Sequence, residues 1–375
     1  MELRSVQHDT VREHNRLAVL EALLSRRVAA RSELSRATRL SVPTVTTIGQ
    51  ELVGLGVVDE GGVGPSGGGR PARLLRLVPS ARNVLAVDLS GSRLRAARID
   101  LAGDLFALEA GPYLAPGLEG ELTAWLRATV AEGAAAGTPY AWLAVAIPGV
   151  IGLEGSSVRL APSLGWHEFD AGRLLREASG LRVLLENDVN ALAIGELHQG
   201  VGQGHKDVVY LTITGGVGAG LVLGGQLYRG SHRAAGEVGY SLQPGLPEEG
   251  LDLGAPGPLE RHLLSIATDV VVDGALDLGT PERVEAFERL VAGVRLVLHN
   301  VACVFDPELV VVAWASDPEG RLAEELARHW SLPLATSIRA GSLGPIAALH
   351  GLGQLALERL KGEVAGLEQH VGSPT

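Results

Sequence analysis

The chain has 375 residues, of which 46% are hydrophobic, and its formal net charge is −11 at pH 7. This length exceeds what one core usually fills, so two or three domains are expected, and the acidic balance argues against nucleic-acid binding over the whole surface. The N-terminus is polar, which argues against a secretory signal, and the lack of a long apolar run argues against a membrane span. A single cysteine cannot form an intrachain disulfide or a cysteine-based metal site. We therefore expect a soluble cytoplasmic protein.

Charge is unevenly distributed along the chain. Residues 1–80 hold eleven arginines against eight acidic residues, whereas the remainder is strongly acidic. Such asymmetry is typical of a small DNA-binding module joined to an acidic sensor domain.

The first 55 residues predict three helices. Apolar residues at helical spacing indicate the first, within residues 14–27. We expect Ser32 to cap a short second helix that extends to Arg39. Ser41 is expected to cap the third, with Pro43 in its first turn, where a missing N–H costs nothing. Two short helices joined by a tight turn are typical of a helix-turn-helix, although an ordinary helical hairpin would give the same pattern.

The third helix has an apolar and a polar face. The apolar face is expected to be buried and consists of Val45, Ile48, Leu52 and Leu55. The polar side chains, which are expected to contact base edges, are Thr44, Thr46, Thr47 and Gln50. The helix contains no basic residue, so phosphate contacts are expected from three arginines before it, Arg31, Arg36 and Arg39.

Residues 56–78 read as a strand, a glycine-rich loop and a second strand, which together predict the hairpin of a winged helix. The loop carries Arg70 in the sequence GGGRP. An arginine beside glycine and proline suits a narrow minor groove or phosphates. The glycines also fit a plain linker, and the loop is not a nucleotide-binding P-loop because it lacks the terminal Lys-Ser/Thr.

After residue 82, strand hairpins and helix–strand units follow one another twice, which indicates two α/β lobes with a cleft between them. A strand in the first half, LRVLL, runs into Glu186, Asn187 and Asp188, and a helix follows. A carboxylate fixed at a strand end can serve as a catalytic base or bind sugar hydroxyls. It can also cap the helix that starts at Val189, and the pattern alone does not decide.

Six motifs in a fixed order resemble the ROK family of bacterial sugar kinases and sugar-responsive repressors. They are DLSGSR, AIPGVI, APSLGW, ENDVNALAIGE, YLTITGGVGAG and LYRGSHRAAGEVGY, and the resemblance extends over about residues 12–360. The winged helix with GGRP is similar to the repressor branch, because the kinases lack that module. The resemblance implies an α/β fold, with an N-terminal winged helix-turn-helix plus a two-lobed actin-like ATPase (ribonuclease H-like) domain that holds a sugar in the interlobe cleft.

The resemblance also implies domain boundaries. We expect a DNA-binding domain at 1–80 and a first lobe at 81–195, which is completed by C-terminal helices at about 340–365. The second lobe is expected at 196–339.

The resemblance assigns roles to residues of the cleft. Asp188 takes the position of the carboxylate that accepts the proton of the attacking hydroxyl in the kinases. Three further residues are expected to hydrogen-bond sugar hydroxyls: Asn187, Glu237 and Glu260. Ser163 stands where the family usually has an asparagine, and Tyr240 where it has a histidine. Both are expected to line the ligand site with altered contacts, so that the ligand either differs from the usual hexose or binds weakly or not at all.

The phosphate-binding segments depart from the kinase pattern. Ser90 in DLSGS (88–92) replaces a glycine of Asp-x-Gly-Gly-Thr, which puts a Cβ where a phosphate would approach the backbone. In the second hairpin, TGG (214–216) shifts the hydroxyl by one residue. Trp314 follows Ala313 where the family tends to have two glycines, so its indole should fill space that the nucleotide needs or else turn outward. We expect kinase activity to be lost and no cofactor to be required.

The family's zinc ligands are missing from the sequence. The usual histidine and three cysteines are replaced by Tyr240, Leu251, Leu253 and Pro258, so no metal is expected. The one cysteine, Cys303, lies on an apolar helix face and is expected in the core.

These features predict a transcriptional regulator, and more specifically a repressor, that binds double-stranded operator DNA as a homo-oligomer, either a dimer or a tetramer. A sugar or sugar derivative that closes the cleft would release the DNA. Two alternatives stay open. One is an ATP-dependent sugar kinase with an accessory DNA-binding head, and the other is a DNA-binding protein whose ROK domain is only a dimerisation scaffold. No membrane partner is expected.

Overall fold

The structure, a computed structural model, describes residues 2–63, 73–213, 215–242 and 255–366. Four residues of the sequence predictions lie outside these ranges: Arg70 of the wing loop, Thr214 of the second hairpin, Leu251 and Leu253. Within the described ranges, no helix is long and apolar enough to cross a membrane.

Helices and strands alternate along most of the described chain. The helices are α1 (Glu2–Arg26), α2 (Arg31–Thr38), α3 (Val42–Gly54), α4 (Glu119–Ala135), α5 (Ala171–Ser179), α6 (Asp188–Gln199), α7 (Pro258–Asp269), α8 (Pro281–Phe305), α9 (Arg321–Arg328) and α10 (Ala347–Ala365). The strands are β1 (Val28–Ala30), β2 (Val58–Val63), β3 (Arg73–Leu77), β4 (Asn83–Asp88), β5 (Arg95–Asp100), β6 (Leu105–Ala107), β7 (Tyr140–Ile147), β8 (Val150–Ile151), β9 (Val158–Ala161), β10 (Trp166–Phe169), β11 (Arg182–Asn187), β12 (Val208–Ile213), β13 (Val217–Leu223), β14 (Gln226–Leu227), β15 (Val271–Val272), β16 (Ala275–Leu276), β17 (Leu309–Trp314) and β18 (Ser337–Ala340).

The N-terminal segment, called the head below (α1 to β3), forms a winged helix. Its three helices pack on an antiparallel sheet of order β1-β3-β2, so the alternative of a plain helical hairpin is wrong. The hydroxyl of Ser41 accepts a hydrogen bond from the backbone N–H of Thr44 at 3.3 Å and caps α3, as predicted. The helix-turn-helix prediction is therefore confirmed.

Two details of the predicted head are wrong. Ser32 does not cap α2, because the helix begins one residue earlier and the carboxylate of Glu33 accepts the backbone N–H of Ala30 at 2.8 Å. Leu55 is 42% exposed, because α3 ends before it and the next buried residue is Val57.

The head and the first lobe share one hydrophobic core. Leu20 and Leu75 of the head belong to the same cluster of buried residues as Ala86 of β4, and as Leu352 and Leu360 of α10. The head is therefore packed on the lobe through α10, rather than joined to it by a loose linker.

The two lobes repeat one strand pattern. The first sheet has the order β11-β7-β4-β5-β6 and the second β14-β13-β12-β17-β18. In each, three consecutive antiparallel strands are extended by two parallel strands. Residues at or just after the carboxyl ends of parallel strands, such as Pro148, Asn187 and Trp314, border the cavity between the lobes, which is where open α/β sheets usually bind ligands.

Helices α6 and α10 cross at very close range. A Cβ on Gly195 would lie 2.0 Å from the carbonyl oxygen of Ala347, and one on Gly351 would lie 1.9 Å from that of Ala191. Helix α6 begins at Asp188 and also contacts β12 and β13 of the second lobe. This helix pair therefore connects the interlobe cleft to the head.

Candidate functional site

A cavity of about 680 Å³ lies between the two lobes, a volume in the range of small-molecule sites. The residues predicted for the sugar site come from distant segments of the chain. All of them line this cavity: Ser163, Asn187, Asp188, Glu237, Tyr240 and Glu260. The fold thus brings the whole predicted set to one place.

Asp188 is the first residue of α6 and is fixed at the cavity wall, because β11 pairs with β7 up to Asn187. Its side chain is half-buried. The pKa of Asp188 is raised to about 7, chiefly by burial and by the carboxylate of Asp88, with a smaller contribution from Glu237. Such a carboxyl group can exchange a proton near neutral pH, and it can donate as well as accept a hydrogen bond.

Asn187, rather than Asp188, caps α6. The Oδ1 of Asn187 accepts the backbone N–H of Asn190 at 3.0 Å, so the alternative interpretation of Asp188 as the cap is wrong. The Nδ2 of Asn187 donates to the carbonyl of Gly149 at 3.0 Å. Both bonds fix the amide at the cavity wall and leave it one N–H and one lone pair for a ligand.

Glu237 and Glu260 form an acidic wall on the second lobe. Burial raises the pKa of both, and the carboxylate of Glu260 raises that of Glu237 as well. The Oε2 of Glu260 accepts the backbone N–H of Gly257 at 3.2 Å. Both carboxylates line the cavity, where they can accept hydrogen bonds from hydroxyl groups.

The residues in the place of the family's zinc ligands do not fit a metal. The hydroxyl of Tyr240 donates to the carbonyl of Ala255 at 2.6 Å. Pro258, whose side chain offers no ligand atom, is the first residue of α7. In the described part of the chain, no three His, Cys, Asp or Glu side chains converge into a metal site.

Asp88, at the end of β4, is buried and bonded by its own hairpin. Ser90 donates its backbone N–H and its hydroxyl to Oδ1, at 2.9 and 2.6 Å. Arg95 donates Nε and Nη2 to Oδ2, at 3.1 and 2.6 Å. A carboxylate has about four acceptor positions, so these four bonds leave Asp88 without one for a bound cation.

Trp314 lies in the core of the second lobe. It is 8% exposed and packs in one cluster with Val312 and Leu322, so the alternative in which the indole turns outward is wrong. The indole also borders the cavity, as do residues 340–345. Trp314 therefore forms part of the cavity wall.

Two arginines of the cavity, Arg95 and Arg233, were missed by the sequence prediction. The segment RGSHRAAGE shows that two arginines precede Glu237. Of these two, Arg229 and Arg233, only the second lines the cavity. The difference depends on their contacts with Glu186, which the sequence does not reveal.

The side chains predicted to contact bases lie on α3. Three hydroxyls already bond inside the head: Thr44 to the hydroxyl of Ser41 at 2.8 Å, Thr46 to the carbonyl of Val42 at 2.8 Å, and Thr47 to the carbonyl of Pro43 at 3.2 Å. Gln50 is exposed on the same helix.

The predicted phosphate-contacting arginines differ in their surroundings. Arg31 donates Nη2 to the carboxylate of Glu60 at 2.6 Å and is 17% exposed, so it braces α2 against the wing strand. Arg36 and Arg39 are exposed at the end of α2. Arg70 lies outside the described residues.

Two sheets of the same strand order around one cavity, preceded by a winged helix, define a two-lobed α/β protein of the actin-like (ribonuclease H-like) type with a helix-turn-helix head. The sequence model of the ROK family matches residues 84–251. This segment therefore matches the ROK family, as the ordered motifs predicted.

Three proteins similar to this chain accompany the match. The xylose repressor of Caldicellulosiruptor bescii is 26% identical over 357 residues, which cover 86% of this chain and 88% of that protein. The crystal structure of a ROK family transcriptional regulator, a homologue of the E. coli Mlc protein, covers 96% of this chain and 100% of its own, with a TM-score of 0.74 at 21% identity. A ROK family glucokinase from Streptomyces griseus, in complex with glucose and AMPPNP, covers 73% of this chain and 98% of its own, with a TM-score of 0.58 at 28% identity. The predicted fold is confirmed.

Proposed function

We propose that this protein is a DNA-binding transcriptional regulator, a repressor, that responds to a sugar or sugar derivative in the interlobe cavity. The observation that carries the proposal is the continuous packing from the cavity to the head. Asp188 begins α6, α6 crosses α10 at its glycines, and α10 shares a core with the winged helix. A ligand that binds the closed cleft better than the open one would shift these helices, change the spacing of two heads in an oligomer and release the operator. The likeness to a xylose repressor supports this proposal.

Binding of the purified protein to DNA from its own promoter region, measured by fluorescence anisotropy, tests the proposal. We expect a sequence-preferring complex whose affinity falls steeply with salt, because phosphate contacts release counterions. Equal affinity for random DNA of the same length would overturn it. Such a protein would act in the cytoplasm as a homo-oligomer, and sedimentation equilibrium would distinguish a dimer from a tetramer.

A second candidate function is an ATP-dependent sugar kinase with an accessory head. The pKa of Asp188, near 7, suits a general base. The four hydrogen bonds to Asp88 oppose this function, because they leave no acceptor there for the metal ion that accompanies ATP. Phosphoryl transfer from ATP to any hexose of a panel, lost in Asp188→Asn, would establish a kinase, and we expect none.

The third candidate function, a DNA-binding protein whose second domain is only a dimerisation scaffold, has less support than the first. The cavity is lined by hydrogen-bonding groups from both lobes, which a mere scaffold does not need. Calorimetric silence toward every sugar and sugar phosphate, with DNA binding intact, would favour the scaffold.

A further inference from the structure

Two arginines and one glutamate form a charged cluster beside the interlobe cavity. Glu186, whose side chain is 3% exposed, lies on β11 of the first lobe, and Arg229 and Arg233 follow β14 of the second lobe. Arg233 lines the cavity, and its guanidinium lies against the turn at Gly155 of the first lobe. The cluster holds two positive charges against one negative charge.

The carboxylate of Glu186 is occupied without Arg233. Its Oε2 accepts Nε and Nη2 of Arg229 at 2.8 and 2.6 Å, and its Oε1 accepts the backbone N–H of Asn187 and Nδ2 of Asn190, both at 3.1 Å. The Nη2 of Arg233 is 4.0 Å from Oε1, too far for a hydrogen bond. The Nε of Arg233 is buried without a hydrogen-bond partner among the described residues. Arg233 therefore retains hydrogen-bond donors at the cavity.

The protein holds Arg233 in an unfavourable state. Its backbone φ is 56°, in the left-handed region that residues with a side chain rarely adopt. Burial lowers the pKa of Arg233, and Arg229 lowers it too, although Glu186 raises it. An anion paired with this guanidinium would offset the electrostatic part of that penalty.

We propose that the ligand of the cavity is an anionic sugar whose carboxylate or phosphate group is bound by Arg233. A planar guanidinium donates two parallel hydrogen bonds to either group. The inference rests on the proposed function, because the residues proposed to bind a sugar there would hold its hydroxyls. The anionic group must contact Arg233 rather than the acidic wall of Glu237 and Glu260, whose carboxylates would repel it.

Isothermal titration calorimetry on the full-length protein tests the inference with glucose, xylose, glucuronate and glucose 6-phosphate. We expect at least one anionic sugar to bind roughly ten- to a hundredfold more tightly than its neutral parent, because the parent leaves buried donors unpaired. Arg233→Gln should abolish this preference, measured as the ratio of the affinities for the anionic sugar and for its neutral parent. The matched control is Arg173→Gln, at an exposed arginine paired with Glu177 outside the cavity, and it should change neither affinity.

The arms of the experiment separate the outcomes. Tighter binding of glucuronate assigns a carboxylate group, and tighter binding of glucose 6-phosphate assigns a phosphate group. If neutral sugars bind as tightly as every anionic sugar, this inference is overturned and the proposed function stands. The same holds if inorganic phosphate binds as tightly as the sugar phosphate. Silence toward all sugars would overturn both the inference and the effector part of the proposed function. Should Arg233→Gln fail to fold, Arg233→Lys keeps the charge, loses the bidentate geometry, and should reduce the preference.

Discussion

The guanidinium of Arg16 in α1 donates two hydrogen bonds to the carboxylate of Glu51 in α3, at 2.9 and 2.7 Å. Its Nη1 donates to the carbonyl of Ala365 at the end of α10, at 3.2 Å. Although burial works against ionisation, hydrogen bonds from Arg12 and Arg16 hold the pKa of Glu51 below its usual range. One side chain therefore joins the second helix of the helix-turn-helix to the helix that crosses α6 beside the cavity.

Arg16→Gln is expected to lower the free energy of unfolding by roughly 1–3 kcal/mol, because charge-assisted hydrogen bonds between partly buried groups are lost. We also expect a larger loss in ligand-induced DNA release than in DNA affinity. Arg12→Gln is the control, since Arg12 binds the same carboxylate but is 60% exposed and should matter less. Chemical denaturation and anisotropy measure the two effects, and an Arg16→Gln protein that matches the wild type in both would contradict the link.

Gly351→Ala is expected to force α6 and α10 apart. The added Cβ would lie 1.9 Å from the carbonyl oxygen of Ala191, and overpacking of this kind destabilises a protein by roughly 1–3 kcal/mol. The matched control is Gly120→Ala in α4, where nothing lies within 4 Å of the new Cβ and better helix propensity should stabilise by up to about 1 kcal/mol. Thermal unfolding of both variants measures the contrast. Equal melting temperatures for Gly351→Ala and the wild type would show that the helices do not approach so closely.

Asp188 should make stability depend on pH. Its pKa of about 7 in the folded protein lies above the ordinary value of 3.8, so the folded protein binds this proton more tightly than the unfolded chain does. The stabilisation that the protonated Asp188 adds to the free energy of unfolding is therefore complete below about pH 4 and is lost as the pH rises to about 7. Asp188→Asn removes the titration, so the variant should melt above the wild type at about pH 8 and near it at about pH 4. Scanning fluorimetry across this pH range measures both melting temperatures. A difference between variant and wild type that does not change with pH would argue against the raised pKa.

Arg36→Gln is expected to weaken operator binding uniformly across DNA sequences, because a phosphate contact carries no sequence information. The slope of log affinity against log salt should fall by about one. Arg31→Gln is the comparison, because its guanidinium is bound to Glu60 and its loss should reduce stability more than the salt slope. Anisotropy titrations at several salt concentrations measure the slope. An unchanged slope in Arg36→Gln would remove this arginine from the interface.

Gln50→Ala is expected to relax the preference for one base pair of the operator, at a loss of roughly 1–3 kcal/mol for the preferred sequence. Gln50 is the exposed polar side chain of α3 with the longest reach. Competition among single-base operator variants measures the preference. An equal loss of affinity for every operator variant would indicate that Gln50 contacts the DNA backbone instead of the bases.

The head could be predicted from sequence largely because its signals are local. The cap at Ser41 and the proline two residues later depend on four adjacent residues. The prediction failed at Ser32, because the carboxylate of Glu33 accepts the backbone N–H at the start of the helix instead. It also failed at Cys303, which is exposed because α8 turns Leu298 and Ala302 toward the core instead.

The site was predictable as a set of residues and not as a set of contacts. The resemblance placed six side chains in one cavity, five of them within the ordered motifs, because the positions of such segments follow from the fold. The state of each group depends on partners that are distant in sequence. Arg229, for example, pairs with Glu186 across 43 residues and thereby leaves Arg233 without a full partner. Sequence patterns alone do not specify such a choice.

The most direct measurement is the operator complex titrated with a cavity ligand in the absence of ATP, for the wild type and for Asp188→Asn side by side. The proposed coupling predicts that the ligand dissociates the wild-type complex and dissociates the variant complex only at a much higher concentration. A complex that remains intact with every ligand that binds the cavity would contradict it.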